Sequence, residues 1–472
     1  MRKTIISILL ACCGISCMAQ APTLSVEGGK IKGVNTSCKD VVVYKGIPYA
    51  APPVGDLRWK KPQAVKPWKG VRVCDKFGAA SLQEGLPKGS PYWIEFYQGE
   101  PPKYSEDCLY LNVWAPAKAA ASPLPVMVWI HGGSFTHGYG HEIEFGGEKY
   151  AQKGVILVTI NYRVGMCGFL THPLLKAENG GKGSGNYGLF DQLAALKWVK
   201  KNIAQFGGDP DNVTVFGQSA GAGSVQALIS SPLAKGYINR AIIQSGGGLG
   251  GLVNPRAYDE AEKAGKELWD EAGVTTLEQM RKVPGSEFKT LLEKYEKKQK
   301  QNMRGPYSVC VDGELLTDTY EHVAKAGNEL DIPYMIGYCS GDMVPDMMKK
   351  AAEGWALLQE EQGRKPTYIY CFSRNLPDDG SFSDPQKNMV PLKGSFHSSE
   401  LWYMFGTLNR CWRPMEKVDY ELSDIMVSYW TNFAKTGNPN GNGLPAWDAY
   451  TKATPHLQQL NETIVGKIGI RK

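Results

Sequence analysis

The chain has 472 residues, and it contains no low-complexity linker, internal repeat or charged tail. Its formal net charge of +6 is small and dispersed, which does not favour a nucleic acid or an anionic membrane as a partner. Beyond residue 19 no stretch approaches the roughly eighteen uninterrupted apolar residues of a bilayer crossing, so we expect no membrane span.

Residues 1–19 have the pattern of a secretory signal. A basic pair precedes the short apolar run 5–11, and the small residue Ala19 ends the segment. We therefore expect an exported protein, periplasmic or secreted, whose residues 20–472 form a single domain. A second interpretation places a lipid anchor on Cys12, which follows a very short apolar run.

Strand patterns come first in the mature chain. Residues 24–50 alternate in polarity as antiparallel hairpin strands do, and residues 109–114 predict a further strand. The continuous apolar run 126–130 and the nearly continuous run 155–160 are typical of parallel strands that are buried on both faces. Residues 187–202 predict an amphipathic helix.

Strands and helices then alternate. Further strands are predicted at 213–216, 241–244, 334–337 and 368–372, and residues 255–300 are predicted to be largely helical. This order predicts an α/β fold, in which a central, mostly parallel twisted sheet is flanked by helices. Such sheets bind their ligands at the carboxyl ends of the strands.

The most informative stretch is Gly-x-Ser-x-Gly at residues 217–221, between a predicted strand and a helical pattern. A strand that turns sharply into a helix crowds the backbone, and Gly217 and Gly221 lack the side chains that would collide there. The turn would expose the Ser219 hydroxyl above a helix N-terminus, which favours developing negative charge. This context predicts Ser219 as a nucleophile, followed along the chain by an acid and a histidine.

A histidine is expected as the base, because proton transfer near neutral pH requires a pKa near 7. It should lie late in the chain, where only His397 and His456 follow residue 342. His397 lies in a glycine-bearing loop after a predicted strand, whereas His456 lies in polar C-terminal sequence. We therefore predict His397 as the base.

The acid that orients the histidine should follow a strand between Ser219 and His397. Asp342 does so, and we favour it. The alternatives are Asp312, whose surroundings are typical of a turn, and Glu400, which opens a helix and equally suits a helix cap or a supporting group.

Acyl transfer also needs backbone N–H donors for the oxyanion of the tetrahedral intermediate. One donor is predicted at Ala220, the residue after the nucleophile. The others are expected from the glycine-rich loop 131–135 (HGGSF), which follows an early strand and lets the backbone approach a substrate.

With these residues the chain resembles the type-B carboxylesterases of the cholinesterase/carboxylesterase family over nearly all of its mature length. Further ordered motifs carry the resemblance: 46–50 (GIPYA), 52–58 (PPVGDLR), 105–113 (SEDCLYLNV), 161–163 (NYR), 188–192 (GLFDQ) and 429–440 (YWTNFAKTGNPN). The resemblance implies an α/β-hydrolase fold and hydrolysis of carboxylic esters through an acyl-serine intermediate. It implies no metal or organic cofactor.

The resemblance also implies roles for particular residues. Gly133 and Ser134 would donate N–H groups together with Ala220, while His131 and Gly132 would shape their loop. Arg58 and Glu106 would form a structural ion pair. Asp342 stands where the family usually has glutamate.

The chain departs from the family pattern beside the nucleophile and at one cysteine. Gln218 replaces a common glutamate, which removes a negative charge and weakens the case for a cationic, choline-like alcohol. Cys108 lacks its usual disulfide partner, for which Cys74 is the possible substitute.

The region after the acid is also short. Only residues 343–367 separate Asp342 from the next strand, so we expect a shortened helical lid and a wider, more open pocket. Four methionines lie near the acid and base in sequence and suit either an adaptable pocket wall or core filling: Met343, Met347, Met348 and Met404.

Three functions remain open at this point. The first is a carboxylesterase acting on small-molecule esters. The second is an acetyl or feruloyl esterase acting on acylated plant polysaccharide. The third is a binding protein of the same fold, although such relatives characteristically lose a member of the catalytic triad, which this chain retains. The oligomeric state is left open.

Overall fold

A computed structural model describes residues 21–298, 305–381 and 391–469. The predicted signal segment and Cys12 therefore lie outside the described residues. Across the three described ranges, no helix combines the length and the apolarity that a membrane crossing requires. The single domain expected over 20–472 stays a prediction.

The strands of the described ranges are numbered in chain order. They are Thr23–Val26 (β1), Gly29–Lys32 (β2), Val34–Asn35 (β3), Val41–Pro48 (β4), Val71–Val73 (β5), Ala80–Ser81 (β6), Tyr104–Ser105 (β7), Tyr110–Pro116 (β8), Leu124–Ile130 (β9), Ile156–Ile160 (β10), Gly208–Gln218 (β11), Arg240–Gln244 (β12), Tyr334–Cys339 (β13), Thr367–Phe372 (β14) and Leu457–Leu460 (β15).

The α-helices are numbered in the same way. They are Pro91–Phe96 (α1), Glu148–Gln152 (α2), Gly165–Phe169 (α3), Pro173–Glu178 (α4), Tyr187–Asn202 (α5), Ala220–Ile229 (α6), Tyr258–Glu271 (α7), Leu277–Lys282 (α8), Phe288–Lys298 (α9), Tyr320–Lys325 (α10), Pro345–Glu361 (α11), Leu401–Phe405 (α12), Lys417–Thr436 (α13) and Glu462–Gly469 (α14).

Ten strands form the central sheet in the order β15-β14-β13-β12-β11-β9-β10-β8-β4-β3. The pairs from β15 to β10 are parallel, and β8, β4 and β3 complete the sheet with antiparallel pairs. The predicted mostly parallel sheet is therefore confirmed. The N-terminal hairpin is confirmed as β1 and β2, which pair in a separate small sheet with β5.

The apolar runs form the middle of the sheet because both of its faces are covered. All five residues of β10 are buried, as are the last five of β9. Helix α5 packs against β11 and α6 on one face, and α13 packs against β9 and β11. These contacts explain why the Val/Ile-rich sequences contain almost no polar residues.

The predicted amphipathic helix is confirmed as α5: twelve of its sixteen residues are buried, and the exposed Lys197 and Lys201 lie on one face. Its polar residues find partners inside the protein. Asp191 accepts hydrogen bonds from Nε and Nη2 of Arg163, both at 2.7 Å, and Gln192 donates to Ser224 Oγ at 2.9 Å. Two polar residues of this helix are therefore buried and hydrogen-bonded in the fold.

The segment expected to be a shortened lid contains α11, and this helix packs against β13 and β14. The region 255–298 is helical as predicted and contributes α7, α8 and α9. The carboxyl ends of β11, β12 and β13 lie side by side, because these strands are parallel neighbours. Residues that directly follow the three strands are thereby brought together.

Candidate active site

Ser219 lies at the sharp turn between β11 and α6. Its backbone has φ of 57° and ψ of −121°, a conformation that is unfavourable for a residue with a side chain. A Cβ atom on Gly221 would lie 2.1 Å from the Ile130 carbonyl oxygen, and one on Gly217 would lie 2.6 Å from the Gly221 carbonyl. The two glycines therefore allow the turn that exposes Ser219, as the sequence predicted.

His397 and Asp342 are hydrogen-bonded through His397 Nδ1 and Asp342 Oδ1. Both residues are less than a tenth exposed. The other carboxylate oxygen, Oδ2, accepts from Ser245 Oγ at 2.9 Å and from the Cys339 N–H at 2.8 Å. The carboxylate is thus held by the Ser245 hydroxyl and the Cys339 N–H and in turn orients the ring, which leaves His397 Nε2 as the nitrogen that can accept a proton.

The loop after β13 and the loop that carries His397 are joined directly. The Gly341 N–H donates to the Ser395 carbonyl at 3.0 Å, and the hydroxyls of Ser340 and Ser395 are 2.6 Å apart. Gly341 and Phe396 also form an isolated parallel bridge. These contacts hold the acid and the histidine in register although 55 residues separate them in sequence.

Gln218 and Glu400 lie on two sides of this pair. The Gln218 amide nitrogen is 3.1 Å from His397 Nε2, so it donates to the ring in the tautomer whose Nδ1–H faces Asp342. Glu400 is fully buried, and its Oε2 accepts from the Cys339 thiol at 2.8 Å. Burial, and then the nearby Asp342 carboxylate, raise the pKa of Glu400.

Neither alternative acid bonds to the histidine in the described part of the chain. Asp312 accepts the N–H groups of three residues that follow it, Glu314, Leu315 and Leu316, as a turn residue does. Glu400 stands at the N-cap of α12 but makes no side-chain cap hydrogen bond. It is therefore a buried group beneath the site, and its interpretation as a helix cap is wrong.

The HGGSF loop lies beside the nucleophile. Gly132, Gly133 and Ser134 line the same cavity as Ser219. Gly133, Ser134 and Phe135 have successive φ values of 97°, 55° and 60°. Such a run of left-handed residues turns neighbouring N–H groups toward one side, which is the geometry of an anion-binding nest.

Ala220 differs from the loop residues in its position. It is the first residue of α6, so its N–H has no partner within the helix. Its side chain is buried and does not line the cavity.

His131 supports the loop from behind. Its ring stacks on Tyr162 with centroids 4.3 Å apart, and its Nδ1 is 2.9 Å from the Gly132 carbonyl oxygen. Burial lowers the pKa of His131 to about 3, so the ring is neutral near pH 7. A neutral buried ring suits a packing role in the loop better than proton transfer.

Arg58 and Glu106 are in contact away from the nucleophile. Arg58 Nε donates to Glu106 Oε2 at 2.6 Å, and Nη2 donates to Oε1 at 2.5 Å. Arg58 Nη1 also donates to the carbonyls of Arg281 and Val283, at 3.0 and 2.7 Å. The bidentate pair thus ties an N-terminal turn to α8 and the residue that follows it.

A cavity of about 280 Å³ opens over Ser219 and His397. Its wall includes six aromatic or aliphatic residues: Leu86, Tyr92, Phe96, Tyr97, Phe145 and Leu401. Its carboxyl-bearing wall residues are Glu142 and Glu144. Whether this pocket is wider than those of longer family members stays a prediction.

The four methionines near the acid and base serve different purposes. Met343 lines the cavity and is exposed, while Met347 is exposed elsewhere. Met348 and Met404 are buried in hydrophobic clusters. Only one of them is therefore part of the pocket wall.

The eight cysteines of the described ranges are all free thiols, so Cys74 and Cys108 are not bridged. Both are buried, and burial raises the pKa of each thiol. Within the same ranges no group of three or more His, Cys, Asp or Glu side chains is arranged to hold a metal ion.

Three polar residues of the site were missed in the sequence. Ser245 directly follows β12 at the same sheet edge as Ser219, and that position was the available signal. Glu142 and Glu144 follow the glycine-rich loop, but nothing in their spacing indicates that both side chains are buried against the cavity.

Comparison with known proteins decides the family. The sequence model described as Carboxylesterase family matches residues 20–351 and 340–469, which together cover all but the first 19 and last three residues of the chain. The chain belongs to the carboxylesterase family. It is therefore an esterase, and it has the α/β-hydrolase fold of its relatives.

Two curated relatives align over most of this esterase. Fumonisin B1 esterase of Sphingopyxis macrogoltabida is 40% identical and covers 90% of this chain and 84% of its own. Para-nitrobenzyl esterase of Bacillus subtilis (strain 168) is 34% identical, and the alignment covers 93% of this chain and 95% of that protein. A solved structure of a thermophilic PNB esterase superposes with a TM-score of 0.81 at 30% identity, covering 94% of this chain and 96% of that one.

Proposed function

We propose that this esterase cleaves carboxylic esters through an acyl-serine intermediate formed on Ser219. The observation that carries the proposal is the hydrogen bond between His397 and Asp342 at the wall of the cavity that also contains Ser219. Nucleophile, acid and base follow one another along the chain in the order that the fold requires.

In the first step Ser219 Oγ attacks the ester carbonyl and His397 Nε2 takes its proton. Asp342 stabilises the imidazolium and keeps Nδ1 protonated, so that Nε2 is free to act. His397 then protonates the leaving alcohol, and water hydrolyses the acyl-serine by the same route. The contact of Gln218 with Nε2 favours the reactive tautomer in the resting site.

The N–H groups of Gly133, Ser134 and Ala220 are the proposed oxyanion donors. The left-handed run at 133–135 and the free first turn of α6 both suit an anion. One such donor typically contributes about 2.7–4 kcal/mol to lowering the barrier.

The proposed substrates are small esters whose acyl or alcohol part is apolar. The aromatic wall and the size of the cavity support this, as do relatives named for para-nitrobenzyl and fumonisin B1 esters. No described feature favours plant polysaccharide esters over this general activity. Retention of all three triad residues speaks against a binding protein without activity. Export remains a prediction from residues 1–19.

The test is hydrolysis of p-nitrophenyl esters of increasing acyl length by the wild type and by Ser219→Ala. If the triad acts as a unit, turnover should fall on the order of 10⁶-fold, the scale measured for another serine hydrolase. Ser428→Ala on α13, whose hydroxyl bonds only to the Asp424 carbonyl, is the matched control and should retain activity. Normal turnover by a folded Ser219→Ala variant would refute the proposal.

A further inference from the structure

Two glutamates lie together in the wall of the catalytic cavity. Glu142 is 7% exposed and Glu144 is 1% exposed, and both line the cavity that contains Ser219. Their side chains are hydrogen-bonded to each other. Burial of two carboxyl groups side by side is costly unless a donor or a cation compensates them.

The protein supplies only part of that compensation. Glu142 Oε1 accepts the Tyr139 N–H at 2.8 Å, and its side chain also bonds to the Tyr97 hydroxyl. Glu144 Oε2, by contrast, is buried and has no hydrogen-bond partner among the described residues. One oxygen of the pair is therefore left for a group that enters the cavity.

No cation of the described ranges pairs with either carboxyl group. Arg410 donates to the carbonyls of Ile143 and Phe145 and pairs with Glu148 at 3.1 Å. Arg413 is held by Glu95 at 2.7 Å.

The nearby histidines do not supply the missing charge. Burial lowers the pKa of His137, and it lowers the pKa of His141 to about 4. Both rings are therefore neutral near pH 7. The two glutamates thus face the cavity without a positive partner from the protein.

We propose that Glu142 and Glu144 form a subsite that binds a primary ammonium group on the substrate, next to the reacting ester. This inference rests on the proposed function of the same cavity. A primary ammonium provides the missing positive charge and N–H donors for the unpartnered oxygen. The apolar wall formed by Phe96, Tyr97 and Phe145 would hold the hydrocarbon part that carries it.

This subsite differs from one for choline-like groups. A quaternary ammonium has no N–H and leaves Glu144 Oε2 unsatisfied, while a neutral hydroxyl can donate but brings no charge. Gln218, which precedes the nucleophile, is uncharged. The acidic residues that line this cavity are Glu142 and Glu144, which follow the HGGSF loop. A primary amine should therefore be preferred over both its alcohol and its trimethylammonium analogue.

Calorimetric titration of the Ser219→Ala protein at about pH 8.5, above the pKa of Glu142 and below that of an alkylammonium, tests this without turnover. The three probes are n-butylammonium chloride, 1-butanol and n-butyltrimethylammonium chloride. We expect n-butylammonium to bind roughly 10-fold to 100-fold more tightly than the other two, the range typical of a charged hydrogen bond. Glu144→Gln in the same background should remove that preference.

Glu148→Gln is the matched control, because Glu148 pairs with Arg410 and does not line the catalytic cavity. It should keep the preference. If Glu144→Gln does not fold, Glu142→Gln decides in its place. Equal affinity for the ammonium and the alcohol, or a preference that survives in both glutamine variants, would overturn the subsite. Ligand binding by the Ser219→Ala protein does not depend on whether Ser219 is the nucleophile. The ammonium subsite and the proposed catalytic mechanism can therefore be refuted independently of each other.

Discussion

Ser245 supports the acid from the neighbouring strand end. Its hydroxyl donates to Asp342 Oδ2 at 2.9 Å, and its backbone has a φ of 51°. It touches neither the substrate cavity nor the imidazole, so we regard it as a positioning residue. It should act on the reaction only through the orientation and charge of Asp342.

We expect Ser245→Ala to lower kcat by about 10-fold to 100-fold with little change in KM. A hydrogen bond to a charged group typically contributes about 1.5–3 kcal/mol, while the Cys339 N–H still holds the same oxygen. Steady-state kinetics on one p-nitrophenyl ester measure this. Ser373→Ala is the control, because Ser373 follows β14 but bonds to Gln459. Unchanged kcat in Ser245→Ala would contradict the role.

Among individual residues, the sequence identifies those for which the chain offers few alternatives of the required chemical type. Few histidines lie late in the chain, and a glycine-flanked serine after a strand is uncommon, so Ser219 and His397 were identifiable. Ser245 was not, because a serine after a strand has many ordinary roles. Glu144 was missed, since its burial depends on how distant aromatic residues pack around it.

The turn from β11 to α6 is tested best at Gly221. An added methyl group would lie 2.1 Å from the Ile130 carbonyl oxygen, and that oxygen belongs to β9 in the middle of the sheet. We expect Gly221→Ala to lose most activity and to lower the free energy of unfolding by about 1–3 kcal/mol, the usual cost of overpacking. Ester hydrolysis and chemical denaturation measure the two effects.

Gly354→Ala is the control for that experiment. Gly354 lies in α11, and its added Cβ would meet Leu249 at 3.4 Å, an ordinary contact. Alanine is favoured over glycine in a helix by about 0.8–1.0 kcal/mol, so this variant should be as stable as the wild type or more so, and fully active. Wild-type behaviour of Gly221→Ala would show that the turn can relax.

Strands and helices were predictable where the pattern of apolar residues in the sequence matches their burial in the fold. Strands β9 and β10 are apolar along their buried length except for Thr159, so their sequence alone identifies them. The burial of Asp191 and Gln192 on α5 was not predictable, because both residue types are mostly exposed in proteins. Their partners, Arg163 and Ser224, lie on other elements, and a local pattern contains no information about such contacts.

The glutamate pair has a consequence for the stability of the whole molecule. Burial raises the pKa of Glu142 to about 7, and burial together with the Glu142 carboxyl raises the pKa of Glu144 well above its usual value. An unfolded glutamate titrates near about 4.3. The folded state therefore binds more protons between these values, and the free energy of unfolding should fall as the pH rises through them.

Glu144→Gln removes part of this dependence. The Tm of the variant minus that of the wild type should be more positive at pH 8 than at pH 5, as measured by thermal unfolding at both values. Glu278→Gln, at an exposed glutamate of α8, should show little change in this difference. A difference for Glu144→Gln that does not depend on pH would mean that the pair is not desolvated in solution.

The backbone of Ser219 has a further implication. Its φ of 57° and ψ of −121° are tolerated by glycine and resisted by every residue with a Cβ, so the rest of the fold must hold it there. The proposed nucleophile thus has one of the least favourable backbone conformations among the described residues. At this position the proposed reaction requires serine, whereas the stability of the folded state would favour glycine. A sequence selected for stability alone would not place serine there.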